Sequence, residues 1–553
     1  MKPFINYTLL SCLILPLVTE TAMGQLNRRA NTAPRANSTA LLTQADAKVA
    51  RMLELQAQYV ATETPKRYNP AALKETADIS NKSGVKLVSD FYASSNSPNV
   101  ALSPPTMVAT FSALAHMGRG KTKEELQKLL SLDGNENPSF GLLGRYLKDS
   151  FEYYPNADET TQIDKINAQL SEIQAQMQEI SDKVVGAQRW QVLSRMPEYQ
   201  KLQNESQTLY TERQKLQAQA EQRHKEKMGD EYQRLGKELD ELAERLDEVL
   251  DASGMPLSVM MHGGSSGTYD SIGYLLVNSR FGNVGSAVQR EFLDKFGTQF
   301  ESTDFSEAGV KKFNDGIKRI VEDVFDDVIE SNPDQAMIVC SAMNLFLSWG
   351  IIMKEDTLLF NFDRGRRRID CVRGDLQVRN ITVNSKAGHL FPLGLSDLMI
   401  VKCRNSAELR QLARAIAADG LRVESVGNRL RTASLYIPTV AFQTKFDFQE
   451  YAKAKGLSVP FTQRQATYAL SDNLVIQQPC DRADVESLFQ VDMAGITLKQ
   501  VTFAGIPMPI GRDMRIPERI IIDSPYLMII TERNLGTVLG MAFIANPEFD
   551  EGW

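Results

Sequence analysis

The sequence predicts a mixed α+β body interrupted by an antiparallel pair of long helices. Three observations carry this: apolar residues at helical spacing follow Asn81, heptad repeats fill residues 160–250, and strand-like and helical runs alternate beyond Leu257. The composition suits such a body, because 42% hydrophobic and 24% charged residues are ordinary for a globular protein and unlike a disordered one. A formal net charge of -7 argues against nucleic acid as a main partner, since phosphate binding needs a basic excess.

The first 24 residues read as a secretory signal. Lys2 gives the positive start, Leu9, Leu10, Cys12, Leu13, Ile14, Leu15, Leu17 and Val18 the apolar stretch, and Ala22, Met23 and Gly24 a small-x-small cleavage site. That stretch is too short to span a bilayer, and no later one reaches the ~20 apolar residues a span needs. A secreted protein is expected, or a periplasmic one in a Gram-negative cell. Residues 25–80, rich in Ala, Thr, Gln, Asn and Arg with prolines at Pro65 and Pro70, read as a leader or linker with a helix over Ala45–Tyr59.

The first part of the body covers 81–159. Val85, Leu87, Val88, Phe91 and Tyr92 share one helical face, and Met107, Val108, Phe111, Leu114 and Ala115 share another behind Pro104 and Pro105. A third helix is expected at Thr122, which has capping-box spacing to Glu125 ahead of Leu126, Leu129 and Leu130. In residues 160–250, Ile163, Ile166, Leu170, Ile173, Met177, Ile180 and Val184 alternate spacings of three and four, the seam of a coiled coil. Leu202, Leu209 and Leu216 recur every seventh residue, Leu235, Leu239, Leu242, Leu246 and Val249 resume the seam, and Pro197 separates the two arms. Gly229 and Gly236 are expected to bend the second arm. The second part of the body, 251–553, has strand-like runs at Tyr274–Val277, Ile338–Leu347, Ala433–Val440 and Ile520–Ile530, with helical patterns at Val288–Phe300 and Phe313–Ile329.

Export leaves four cysteines, Cys340, Cys371, Cys403 and Cys480, with no C-x-x-C pair, so neither a metal nor a cofactor is expected; disulfides are permitted but no pairing follows. Enzyme motifs are poor. Gly263, Ser265 and Gly267 match a nucleophile elbow with His262 in front and His389 as the candidate base. The run leads from Gly and Ser into a strand, whereas an elbow needs a strand entering and a helix leaving. Gly120, Lys121 and Thr122 end like a P-loop but follow a helical pattern, so a helix–helix turn is the better reading. Arg373, Gly374 and Asp375 spell an adhesion tripeptide, frequent by chance. Arg366, Arg367 and Arg368 read as a solvated loop between strands, with an anion or polysaccharide patch as the alternative.

A resemblance extends over nearly all the rest. Asn99-Val-Ala-Leu-Ser103-Pro104, then Leu114, Gly118, Gly120 and Thr122, resemble the "N-V-x-x-S-P" start of the serpins and the glycine-bearing turn after it. Phe313, Asn314, Ile317 and Ile329, the run Val339–Trp349, and Leu435–Pro438 with Phe442–Tyr451 are similar to later serpin pieces in the same order. Ser524–Ile530 with Leu539, Gly540, Met541, Asn546 and Pro547 resembles the serpin C-terminus. The resemblance implies the serpin fold, a large central β-sheet with further sheets and surrounding helices, here carrying the helical hairpin as an insertion. It implies no catalytic residue. Its partner would be an extracellular protease that cuts an exposed reactive loop, whose N-terminal part then inserts as a new strand and traps the acyl-enzyme.

By the same resemblance the loop runs from about 495 to 515, after the strand Leu488–Asp492. Its hinge is Met493, Ala494, Gly495, Ile496, Thr497, Leu498, Lys499, Gln500 and Val501, and its candidate reactive centre is Met508, Pro509 or Arg512, with Arg515 further along. Strand alternation puts Ile496, Leu498 and Gln500 on one face, so insertion is expected to overpack the sheet, at about 1–3 kcal/mol. The expectation is a weak or non-inhibitory member acting as a binding module. A competent suicide inhibitor of a serine or cysteine protease is the alternative. The hairpin is open to a coiled-coil partner or to self-association.

Overall fold

The computed structural model describes residues 68–151, 196–251, 267–499 and 518–548, apart from a few positions within them, together with scattered helical positions between 44 and 58 and between 162 and 180. The signal segment lies outside the described residues. Helix α1 (Pro70–Ser80) starts behind Asn69, whose carboxamide oxygen accepts the N–H groups of Ala71 and Ala72 at 3.1 and 3.2 Å. Leu73, Ala77 and Ile79 of α1 are buried, so packed core begins before Asn81. A π-turn (Asn81–Val85) leads into α2 (Lys86–Ser94), followed by α3 (Pro104–Met117), α4 (Lys121–Leu129), α5 (Phe140–Phe151), α6 (Pro197–Lys227) and α7 (Asp230–Asp251). The later helices are α8 (Ser286–Phe296), α9 (Glu307–Val321), α10 (Ser406–Asp419) and α11 (Phe448–Ala454).

The strands are β1 (Asn99–Leu102), β2 (Gly267–Asn278), β3 (Thr298–Thr303), β4 (Met337–Ser348), β5 (Lys354–Phe362), β6 (Gly365–Val383), β7 (Lys386–Leu393), β8 (Ser396–Lys402) and β9 (Val423–Ser425). They continue as β10 (Arg431–Pro438), β11 (Val440–Asp447), β12 (Tyr468–Ser471), β13 (Leu474–Ile476), β14 (Asp484–Val491), β15 (Gly495–Lys499), β16 (Glu518–Ile521), β17 (Tyr526–Glu532) and β18 (Val538–Ile544). A six-stranded sheet has the order β11-β14-β15-β4-β2-β3. A ten-stranded one runs β1-β18-β17-β8-β7-β6-β10-β16, with β5 and β9 also on β6.

The sheets pack face to face. Ala101 of β1, opposite Ala542 of β18, donates its N–H to Thr444 Oγ1 of β11 at 2.9 Å. Rings fill the space around the sheets: Tyr92 stacks on Phe543 at 4.5 Å and Phe111 on Phe448 at 3.9 Å. The two ends of the serpin-like pattern meet here, because Asn99 Oδ1 accepts the N–H groups of Ala545 and Asn546, each at 3.0 Å, and its amide returns a bond to Asn546 O at 2.7 Å. On the opposite face of the six-stranded sheet, α9 buries Val310, Phe313 and Ile317 against Tyr274 and Leu276.

Several expected elements end earlier or are held differently. The helix expected over Val288–Phe300 stops at Phe296, because Gly297 adopts φ +68 and caps it, and Thr298 starts β3. The pattern Phe313–Ile329 is helical only to Val321; Asn314 then binds both the N–H and the C=O of Ile329, at 2.9 Å each. Ile520–Ile530 is two strands in different parts of the ten-stranded sheet. Thr122 and Glu125 form no capping box. The helix starts at Lys121 behind Gly120 (φ +52), Thr122 Oγ1 accepts the Thr467 N–H at 3.0 Å, and Glu125 accepts the Val459 N–H at 2.8 Å.

In the helical segment, Pro197 opens α6, a helix of 31 residues and so about 46 Å long. Gly229, at φ +85, separates it from α7, whereas Gly236 lies inside α7 without interrupting it. Ile166, Leu170 and Ile173 are buried, as are Tyr232, Leu235 and Leu242, and none of them joins either core cluster of the body. The leader meets this segment: Arg51 makes two bonds to Glu231, at 3.0 and 3.1 Å, and Lys48 pairs with Glu238. Because these side chains leave both cores untouched, a chain joining Tyr154 to Pro256 through a short linker is expected to unfold cooperatively, with the thermal midpoint of the full chain nearly unchanged. Loss of cooperative unfolding would place the helices within the core. Among the described residues, no helix is long and apolar enough to cross a membrane.

Candidate functional site

The segment expected to begin an exposed loop instead begins as a strand. Residues Gly495–Lys499 form β15, antiparallel to β14 on one side (Val491 opposite Ile496, Leu488 opposite Lys499) and to β4 on the other (Ser348 opposite Gly495, Asn344 opposite Lys499). Its alternation is as expected, but the overpacking is not found. Ile496 is 0% exposed and Leu498 2%, and both belong to the main core. Room for them comes from outside the hinge, where the buried glycine Gly540 of β18 lies beneath Leu498. Thr497 is buried on the opposite face.

A tight turn delivers β15 into the sheet. Asp492 N–H donates to Gly495 O at 3.1 Å, while Asp492 Oδ1 accepts the Gly495 N–H at 3.2 Å. Gln490 steadies the same carboxylate at 2.8 Å, and the indole N–H of buried Trp349, just past β4, donates to Asp492 O at 2.8 Å. Gly495 itself admits no side chain: a Cβ there would stand 2.1 Å from Leu347 O and 2.7 Å from a Phe346 ring carbon. Met493 is half-buried in the turn. Sequence reasoning missed Asp492, Gln490, Trp349 and Gly540 as parts of this site. Only the position of Asp492 and Trp349 at strand ends offered a signal.

The far end of the expected loop is anchored in the other sheet. β16 lies parallel to β10, with Ala433 opposite Glu518, and Arg431 makes two bonds to Glu518, at 2.6 and 3.2 Å, which hold that carboxyl below the usual carboxylate range. Ala494, Gln500, Val501, Met508, Pro509, Arg512 and Arg515 lie outside the described residues.

The remaining candidates are dispersed. His262, Gly263 and Ser265 also lie outside the described residues, and His389 is half-buried in β7, where burial lowers its pKa. Gly118–Gly120 make the turn between α3 and α4, as expected. Arg373, Gly374 and Asp375 sit in mid-β6 opposite Tyr436, Leu435 and Ser434. Arg373 pairs with Asp356 at 3.0 Å and Asp375 accepts from the Ser434 hydroxyl, so the tripeptide is no protruding loop. Arg366, Arg367 and Arg368 are exposed but start β6 rather than forming a loop; Gly365, at φ +97, makes the turn, and Arg367 lies over Phe362 and pairs with Glu548 at 2.8 Å. Cys340, Cys371 and Cys403 are free thiols that burial pushes up to about 12, which suits inert core residues.

No protein-family model matches the chain. Over 151 residues it is 22% identical to neuroserpin of Gallus gallus and 24% identical to neuroserpin of Homo sapiens. Each alignment covers 27% of this chain and 36% of the relative, so the chain spans about a third of the length of the curated relatives it matches. The chain is similar to the serpins, as a divergent member of that family would be. Among solved structures, Serpin48 of the insect Tenebrio molitor is similar over 85% of this chain and 98% of its own chain, at 14% identity and a TM-score of 0.49. Mouse protein-Z dependent protease inhibitor is similar over 86% and 99%, at 12% identity and a TM-score of 0.48.

Proposed function

We propose that this serpin inhibits an extracellular serine or cysteine endopeptidase by inserting its reactive loop between β14 and β4. The observation that supports this most is the seating of β15 between those two strands, with Ile496 and Leu498 buried in space that Gly540 leaves open. The alternative, a weak or non-inhibitory binding module, rests on the bulk of the hinge and on Pro509 beside the candidate bond; the burial of Ile496 and Leu498 weakens the first of these grounds and leaves the second. Further along, Asp484–Ser487 of β14 and Met337–Met343 of β4 have no strand between them among the described residues, and most of these positions are half-exposed.

The mechanism needs no catalytic group from the serpin. The protease nucleophile attacks a loop carbonyl and forms an acyl ester as the peptide bond breaks. The freed strand then adds ladder bonds to β14 and β4 before water reaches the ester. Export by the N-terminal 24 residues would bring the serpin to such a protease. The test is to mix the purified protein with a panel of serine and cysteine endopeptidases. An SDS-stable complex at near-unit stoichiometry is expected with at least one of them. Loop cleavage by several enzymes with no complex from any of them would sink the proposal.

A further inference from the structure

Gly540 lies in the interior of β18, opposite Ile530, where a glycine weakens a strand and its backbone does not need one: its φ is not among the positive ones. The reason for it lies across the sheet interface. A Cβ on residue 540 would stand 2.7 Å from Leu498 Cδ2 and 3.9 Å from Leu498 Cγ, so the leucine side chain of the hinge occupies the volume that a side chain at 540 would fill. Leu498 is 2% exposed there.

We propose that Gly540 is a socket for Leu498, and that this fit determines how deep the hinge seats in the six-stranded sheet. A slip of one residue would turn Leu498 to the opposite face. A slip of two keeps the face but brings β-branched Ile496 or polar Gln500 over the glycine, and neither has the shape of the side chain now seated. The pair therefore holds β15 in the observed register, with Val491 opposite Ile496 and Asn344 opposite Lys499. It sets the point from which every later residue of the loop would enter. Gly540 touches no substrate; it is a positioning residue acting through Leu498. The inference deepens the proposed loop-insertion function and rests on it for its consequence, although the socket can be tested with no protease present.

The test is a size swap read by hydrogen exchange of the amides of Ile496–Lys499 in the full-length protein. Gly540→Val alone is expected to speed their exchange about ten- to hundred-fold, as overpacking displaces Leu498. Leu498→Ala alone should speed it less, and Leu498→Ala combined with Gly540→Val should return it to within about threefold of wild type. If Gly540→Val does not fold, Gly540→Ala with and without Leu498→Ala makes the same comparison. Exchange that ignores residue 540, or a double variant as exposed as Gly540→Val, overturns the socket. A protein that follows the swap but captures no protease overturns the inhibitory reading and leaves the socket standing. One that captures protease while its hinge is indifferent to residue 540 does the reverse.

Discussion

Gly495→Val is expected to loosen the hinge in the six-stranded sheet, with an expelled form appearing as a minority state, while the rest of the body stays folded. The added Cβ would lie 2.1 Å from the Leu347 carbonyl oxygen, a backbone atom of β4, whose other edge is paired with β2 from Gly267 to Val277, so β4 cannot yield cheaply. Strain of this kind commonly amounts to about 1–3 kcal/mol when a core can relax, and the rigid neighbour puts this site at the upper end. Opposing it is the burial of Ile496 and Leu498, about 1.5–3 kcal/mol each if both become fully exposed. Strain at its upper end, about 3 kcal/mol, matches only the lower end of the roughly 3–6 kcal/mol of burial, so the variant is expected to populate the expelled hinge as a minority state. Amide exchange should rise at Ile496–Lys499 and at the strand edges facing them, Leu488–Val491 and Asn344–Ser348. Complex formation with any target protease should slow about ten- to hundred-fold. Unchanged exchange at all these positions would show that β15 is not held in the sheet by this close approach.

What could be read from the sequence was local or carried by motif. The strand runs before Val491 and the α3–α4 turn each depend on neighbours within a few residues, and both are found; Ile166, Leu170 and Ile173, read as a heptad seam, are buried. Asn99 and Asn546 were legible only through the serpin resemblance; their meeting across the termini of the body explains why both ends of that pattern are present. What was not legible is long-range. Thr122 and Glu125 have the spacing of a cap, yet their partners are Thr467 and Val459, more than three hundred residues away. The seating of the hinge is long-range in the same way. Ile496 and Leu498 are bulky in any local reading, and only the contact with Gly540 in another sheet turns bulk into fit. Gly229 was read as a bend, but its positive φ makes it a break between two helices.

The second large effect concerns the loop after cutting. Limited cleavage after Arg512 or Arg515, followed by intact mass, is expected to raise the thermal midpoint of the protein by about 10 °C or more. Continuing the register of β15 would place Gln500 between Ser487 and Met343, Thr502 between Val485 and Ser341, and Phe503 between Asp484 and Cys340. These are the stretches of β14 and β4 that have no described strand between them. Intact, the chain must also reach β16, whose ladder with β10 and double bond from Arg431 to Glu518 hold the far end in the other sheet. Cutting removes that tether, and the released end can then complete the sheet. Gln500, Thr502, Ala504 and Ile506 would follow Ile496 and Leu498 toward the core, where Thr502 and Ala504 are small and easily seated while Gln500 and Ile506 need room of their own. Each residue ordered costs about 1–2 kcal/mol of backbone entropy, against which two ladder bonds contribute about 0.5–1.5 kcal/mol each and side-chain burial adds more. In a body of about 350 residues 1 kcal/mol moves the midpoint by only about 1–1.5 °C, so a rise of about 10 °C requires a net gain of roughly 7–10 kcal/mol spread over the newly inserted residues. A midpoint unchanged by complete cleavage would mean that the cut strand stays outside the sheet, and inhibition by insertion would then have no driving force.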